Sequence, residues 1–321
     1  MLAVFAARTD ADDPLSALEV GERPGPEPPD GWVTVDVKAA SLNHHDLWSL
    51  RGVGLPDDRL PMILGCDAAG VDPDGNDVIV HSVITSDGWR GDDTLDPKRT
   101  LLSELHQGAL AAQVAVPRGN LVPKPEALSF AEAACLPTAW LTAYRMLFVK
   151  AGVRPGDTVL IQGAGGGVAS AAIVLARQAG LRVWVTSRDE TKGEKAKELG
   201  AHEAFESGAR LPERVDAVLE TVGEATWKHS LRALRPGGTL VVSGSTSGPN
   251  PPADLQRVFF LQLNVIGSTM GTRDELAQLA RLLETTGIRP EIDRVLPLSE
   301  AGDGFAALAA GDVFGKIVFT P

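Results

Sequence analysis

From residue 158 onward, short apolar runs alternate with helical segments, and the first junction between them is a run of glycines. Thr158-Val-Leu-Ile-Gln162 leads into Gly163-Ala-Gly-Gly-Gly167 and a helix over 168–179. Arg182-Val-Trp-Val-Thr186 precedes a helix over 190–199, Val215-Asp-Ala-Val-Leu219 precedes one over 225–234, and Gly238-Thr-Leu-Val-Val-Ser243 comes after it. Strands separated by helices of about 10 to 15 residues need right-handed crossovers, which build a parallel sheet with helices on both faces. The expectation is a doubly wound α/β domain, with Asn264–Gly267 as a last strand and 273–286 as an amphipathic helix.

The glycine run carries chemistry as well as shape. Glycines let a backbone bend sharply and approach a pyrophosphate, whose charge is met by N–H groups and the dipole at a helix N-terminus. The spacing here is Gly163-x-x-Gly166-x-x-Ala169, with Gly165, Gly167 and Val168 in the same turn, so dinucleotide binding is expected. The end of the second strand decides which dinucleotide. An acidic residue there would hold the ribose of NAD, whereas this chain runs Thr186-Ser187-Arg188 with Lys192 a turn later. A hydroxyl and two cations suit a 2′-phosphate. NADPH is therefore favoured over NADH, with Arg188 as its chief reader, while Asp189 and Glu190 read as the negative first turn of the next helix.

Residues 1–122 have another texture, with strand-like runs at Trp32–Lys38 and Asp77–His81 broken by PGPEPPDG and DGWRGDD. This half reads as an irregular, mostly β domain. An Ala-rich helical run over 131–152 places a boundary near 123–130. The net charge of −12 opposes nucleic acid and anionic membranes as partners, and no apolar run is long enough to span a bilayer, so a cytoplasmic protein is expected. Only Cys66 and Cys135 are present, too few for a disulfide framework or a C-x-x-C clamp.

The order of motifs along the chain resembles the medium-chain dehydrogenase/reductase superfamily, and within it the zinc-independent, quinone oxidoreductase-like branch. The residues that carry the resemblance are SLNHHDLW (41–48), LPMILGCDAAG (60–70), GALAAQVAVPRGNLVPKP (108–125), AACLPTAWLTAYRML (133–147), the glycine turn, TSRDETK, ELGAHEAF (198–205), LRPGGTLVVSG (234–244) and FGKIVF (314–319). The resemblance implies a GroES-like catalytic domain, 1–123 completed by 291–321, around a Rossmann domain, 124–290, with the cofactor in the cleft between. It also implies a homodimer paired along Asn264–Gly267.

The same resemblance assigns site residues. Zinc-dependent relatives hold the metal through a cysteine where this chain has Asn43 and a histidine where it has Cys66, and residues 81–107 lack the cysteines of a structural zinc lobe. No metal is expected. Without a Lewis acid, alcohol oxidation loses its means of lowering the alcohol pKa. In reduction of a quinone or an α,β-unsaturated carbonyl, hydride goes to an already electrophilic carbon, and the developing enolate or quinol oxygen needs only hydrogen-bond donors and a proton. His44 matches a pyrophosphate contact, and His45 a proton-relay position suited to a histidine. Asn43 is expected to donate to a substrate or cofactor oxygen, and Trp48 to wall the pocket. Thr142, Gly244, Ser245 and Lys316 are expected beside the cofactor. The rival readings are a zinc-dependent alcohol dehydrogenase and a nucleotide-binding protein without turnover.

Overall fold

The computed structural model describes residues 1–321. The chain divides into two compact units, Met1–Leu141 with Met270–Pro321, and Thr142–Thr269.

The first unit is built on mostly antiparallel strands, with Ile292–Pro297 and Lys316–Thr320 a parallel pair. A seven-stranded sheet runs Leu121–Pro123, Asp77–Val80, Asp67–Val71, Trp32–Ser41, Lys316–Thr320 and Ile292–Pro297, with Gln113–Pro117 also pairing along Trp32–Ser41. The C-terminal strand thus lies beside the long central strand. At the end of that central strand Ser41 is flanked by Asp67 on one side and Val318 on the other, which brings three distant parts of the chain together. Beneath the sheets Val35, Leu64, Leu110, Phe305 and Phe319 share one buried core.

The compact units group some helices differently from the expected domains. Residues 124–141 and 270–290 belong with the β unit: the helix Phe130–Ala134 lies against Trp32–Ser41 and Asp67–Val71, and Arg273–Thr286 lies against Leu121–Pro123. There the Arg273 guanidinium donates to the Leu121 carbonyl at 3.0 Å. An amphipathic helix settles on the surface that buries its apolar side, whatever the change in sequence texture.

The second unit holds six parallel strands in the order Glu203–Glu206, Arg182–Ser187, Thr158–Ile161, Val215–Glu220, Leu234–Val242, Asn264–Gly267. Thr158–Ile161 is buried at every position, as a central parallel strand covered on both faces must be. The order reverses beside it, between Arg182–Ser187 and Val215–Glu220, which is the place where open α/β sheets bind ligands. No helix in the chain is long and apolar enough to cross a membrane.

Candidate active site

In the first unit the site begins where Trp32–Ser41 ends and the helix His44–Leu50 starts. Asn43 caps that helix, and its backbone N–H donates to the Asp46 carboxylate at 2.9 Å. The other Asp46 oxygen accepts the Gly65 N–H at 2.9 Å. Gly65 sits at φ +97°, and a Cβ there would lie 2.8 Å from the Leu110 nitrogen, so the turn into Cys66 and Asp67 requires glycine. Burial raises the Asp46 pKa, a shift that the two backbone donors and His45 oppose.

Asp67, with no exposed side-chain surface, collects donors on one oxygen. Its Oδ2 accepts Ser41 Oγ at 2.8 Å and Asn43 Nδ2 at 2.8 Å, with Lys316 Nζ at 3.4 Å. Lys316 is itself buried, and it donates to the Leu42 carbonyl at 2.7 Å and to Asn43 Oδ1 at 2.6 Å. Three acceptors use the three N–H donors of an ammonium. Lys316 is therefore engaged inside this unit rather than offered to a cofactor. Asn43 is likewise committed, since its amide nitrogen also donates to the Ser41 carbonyl at 3.3 Å. The side chain expected to reach a substrate instead joins Lys316 to Asp67.

His45 stands on the same helix and bridges two other groups. Its Nδ1 is 3.2 Å from Cys66 Sγ and its Nε2 is 3.2 Å from Glu104 Oε1. Burial alone would lower its pKa, but Cys66, Glu104 and Asp46 together hold it well above the ordinary histidine value. Burial would likewise raise Glu104, yet the His45 hydrogen bond and charge keep that carboxylate below its usual range. Burial pushes the Cys66 thiol up despite His45. One arrangement satisfies every donor: the imidazolium donates to Glu104 and to Cys66 Sγ, and the thiol donates to the Leu102 carbonyl at 3.3 Å. His44 is the more exposed of the two histidines, and desolvation by the surrounding protein, then the Lys316 ammonium, lower its pKa. Trp48 is half-buried with the Arg51 guanidinium 5.1 Å from its ring centroid.

His45, Asp46 and Cys66 bring ligand atoms within 4.8 Å of one another, the spacing of a metal site. The donor set fits zinc poorly. Both Asp46 oxygens hold backbone N–H groups, leaving one imidazole and one thiol where a tetrahedral centre needs three or four protein ligands.

In the second unit Gly163 has φ +84° after the strand Thr158–Ile161, and Gly166 caps the helix Gly167–Gln178. A Cβ on Gly166 would meet nothing within 4 Å, so the turn is open at the helix N-terminus that Gly165, Gly167 and Val168 complete. The residues present fit a pyrophosphate. The N–H of Gly163 is not free for it, because it donates to Thr186 Oγ1 at 3.2 Å. Arg188 is exposed just past the strand end, while Ser187 Oγ donates to the Asp189 carbonyl at 2.7 Å. Asp189 caps the next helix, accepting the Lys192 N–H at 3.1 Å. A Cβ on Gly244 would sit 2.9 Å from the Thr221 carbonyl oxygen, and Ser245 beyond it is exposed. Thr142 is buried in its helix.

Two family models match the chain, the alcohol dehydrogenase GroES-like domain over residues 29–126 and the zinc-binding dehydrogenase over 167–285. A probable acrylyl-CoA reductase, AcuI, of Escherichia coli (strain K12) is 31% identical over 90% of this chain and 90% of its own. The chain belongs to the medium-chain dehydrogenase/reductase superfamily. Within it, a solved NAD-dependent alcohol dehydrogenase is 35% identical with a TM-score of 0.91, covering both chains in full. A crotonyl-CoA carboxylase/reductase, AntE, solved in complex with NADP is 25% identical with a TM-score of 0.90, covering 100% of this chain and 94% of that one. The first unit thus contains the GroES-like domain of this superfamily and the second the parallel sheet of its Rossmann domain.

The structure brings Asn43, His45 and Lys316 into one region of the GroES-like unit and the glycine turn, Ser187 and Arg188 to one edge of the Rossmann sheet. It adds two residues that the motifs alone do not mark. Glu104 lies in the irregular segment 86–107, where no periodicity singles it out. Gln162 does leave a signal, as a polar side chain directly after the apolar run Val159-Leu-Ile161.

Proposed function

We propose that this superfamily member is an NADPH-dependent reductase of α,β-unsaturated carbonyl compounds, with quinones as alternative acceptors, that works without zinc. The observation that carries the reading is the way Asn43 and Cys66 are engaged. The residues at the family's metal-ligand positions are an amide locked between Lys316 and Asp67 and a thiol bonded to His45 and Leu102. The acyl-CoA reductases among the relatives support an acceptor whose C=C is conjugated to a carbonyl.

NADPH, when bound, supplies the hydride for the electrophilic carbon of the acceptor. Gly165, Gly166, Gly167 and Val168 would hold its pyrophosphate at the helix N-terminus, Arg188 its 2′-phosphate, and Ser245 its ribose. We assign His44 to that anion, beside which it would gain a proton more readily. Both ring N–H groups of His45 are engaged, so its proton would reach the reduced product by way of Glu104 rather than from the ring directly. Glu104 keeps the imidazole cationic, and its side chain, a quarter exposed, links it to bulk water. Trp48 supplies an apolar wall, and the Lys316–Asp67–Asn43 cluster fixes the helix that carries both histidines.

A homodimer is part of the proposal. Asn264–Gly267 is an outer strand with one neighbour, and the helix just before it leaves Leu255, Phe259 and Phe260 71%, 68% and 76% exposed. A second copy paired along that edge would cover an apolar surface that is costly to leave wet. A monomeric mass by light scattering contradicts this.

Zinc-dependent alcohol oxidation is the second reading, favoured by the His45, Asp46 and Cys66 spacing and by the alcohol dehydrogenase among the solved structures. Steady-state assays separate the two. Crotonyl-CoA, a small enone and a quinone are offered with NADPH or NADH, and primary and secondary alcohols with the oxidised cofactors. Turnover of an unsaturated carbonyl with NADPH supports the first reading, and turnover of alcohols alone the second.

A further inference from the structure

At the carboxyl ends of three adjacent strands the Rossmann unit buries a continuous polar chain. Thr186 is the last residue but one of one strand, Gln162 comes directly after the next, and Glu220 ends the third. Ser230 comes from the helix Glu224–Ala233. All four are no more than 1% exposed. Gly163 N–H donates to Thr186 Oγ1 at 3.2 Å, and Thr186 donates to Gln162 Oε1 at 2.6 Å. Gln162 Nε2 donates to Ser230 Oγ at 2.9 Å and lies 3.0 Å from His229 Nδ1, and Ser230 donates to Glu220 Oε2 at 2.5 Å.

Glu220 sets the direction of every bond. A carboxylate only accepts, so Ser230 must donate to it and must accept from Gln162. That orients the Gln162 amide with its oxygen toward Thr186, which therefore donates to it and accepts the N–H of Gly163. Reversing any one bond would leave a buried donor or acceptor unmet at about 1–3 kcal/mol. The other Glu220 oxygen holds a second turn, accepting the N–H groups of Val222 and Gly223 at 2.8 and 3.0 Å and the Thr226 hydroxyl at 2.9 Å. Gly223 is at φ +93°, and a Cβ there would lie 2.5 Å from the Gly248 carbonyl oxygen. One buried carboxylate thus anchors two glycine turns.

We propose that the Glu220–Ser230–Gln162–Thr186 chain is a positioning device for the cofactor. It turns the Gly163 N–H inward, fixes that residue's left-handed conformation, and thereby aims the open N–H groups of Gly165 to Val168 at the pyrophosphate. These residues act through the turn, and Thr186 controls affinity without contributing its hydroxyl to the nucleotide. The proposal rests on the reading that the Rossmann unit binds NADPH.

The test compares Thr186→Val, which keeps the shape and removes the hydroxyl, with Thr186→Ser, which keeps the hydroxyl. NADPH affinity is read by fluorescence titration, turnover at saturating NADPH by absorbance, and protection of the Gly163 amide by hydrogen exchange. Thr186→Val is expected to weaken NADPH roughly tenfold and to expose the Gly163 amide, with turnover at saturation changed less than about twofold and Thr186→Ser restoring affinity to within about threefold. Ser230→Ala, one bond further along, should weaken NADPH in the same sense and stands in if Thr186→Val does not fold. Wild-type affinity in Thr186→Val, or an equal loss in Thr186→Ser, overturns the proposal. If the unaltered protein binds neither NADPH nor NADH, the cofactor reading fails instead.

Discussion

Lys316→Met removes the one ammonium that faces Asp67 while keeping most of the side-chain volume. In the native protein the Lys316 and Asp67 side chains are 2% and 0% exposed, so neither charge has water to fall back on. Losing the lysine leaves the carboxylate with two neutral donors, Ser41 Oγ and Asn43 Nδ2, and frees Asn43 Oδ1 and the Leu42 carbonyl of their shared partner. Breaking a buried pair on one side costs roughly 3–5 kcal/mol, because the surviving charge stays desolvated. In a unit of this size each kcal/mol moves the midpoint by roughly 2–4 °C. Chemical and thermal unfolding of Lys316→Met, Asp67→Asn and the double variant complete the cycle. The double variant should recover more than half of the single-variant loss, since a neutral amide at 67 no longer needs a counter-charge. A Lys316→Met loss below about 1 kcal/mol, or a double variant no more stable than Lys316→Met, refutes the assignment of Lys316 as the structural partner of Asp67.

The folded pKa of His45 lies above its unfolded value, so its pairing stabilises fully below about pH 6.5 and is lost as pH rises through the folded value; Glu104 has a depressed folded pKa, so its share holds above about pH 4.3 and is lost on acidification. Glu104→Gln should therefore cost most between about pH 5 and 6.5, on the order of 1 kcal/mol for a pair that is partly exposed. Denaturation at several pH values reads this, and a deficit that grows toward alkaline pH contradicts the pairing. Arg188→Gln should weaken NADPH at least about tenfold and NADH little, as loss of a charge-assisted contact to one phosphate predicts; equal weakening of both removes its assigned role. His45→Ala should lower turnover on the order of a hundredfold with NADPH affinity kept, whereas His44→Ala should do the reverse. Negligible effects of both in steady-state kinetics and titration return the pair to a solvated turn.

The Rossmann half is legible in the sequence because its signals are local. Alternation of strand and helix dictates a parallel sheet, and the glycine turn falls beside the point where strand order reverses. The GroES-like half is legible in its motifs but not in how their side chains pair. Asn43 reads as a free amide in the sequence, and only the pairing of the C-terminal strand beside Trp32–Ser41 brings Lys316, 273 residues away, onto it. Glu104 is hidden for the same reason, since 59 residues separate it from His45 and its segment has no periodicity. The packing of the helices at 130–134 and 273–286 against the β unit is hidden in the same way. Long-range register decides all of these, and a single sequence does not encode register in any local pattern.

Hydride transfer to an unsaturated carbonyl without a metal is the central claim, and single-turnover oxidation of NADPH by crotonyl-CoA or a small enone tests it most directly. The protein is first treated with a strong chelator and its metal content measured on the same sample. Oxidation of one NADPH per site at a rate unchanged by chelation, in protein holding well under one zinc per chain, is the predicted result. Loss of the reaction on chelation, with recovery on adding zinc, contradicts it.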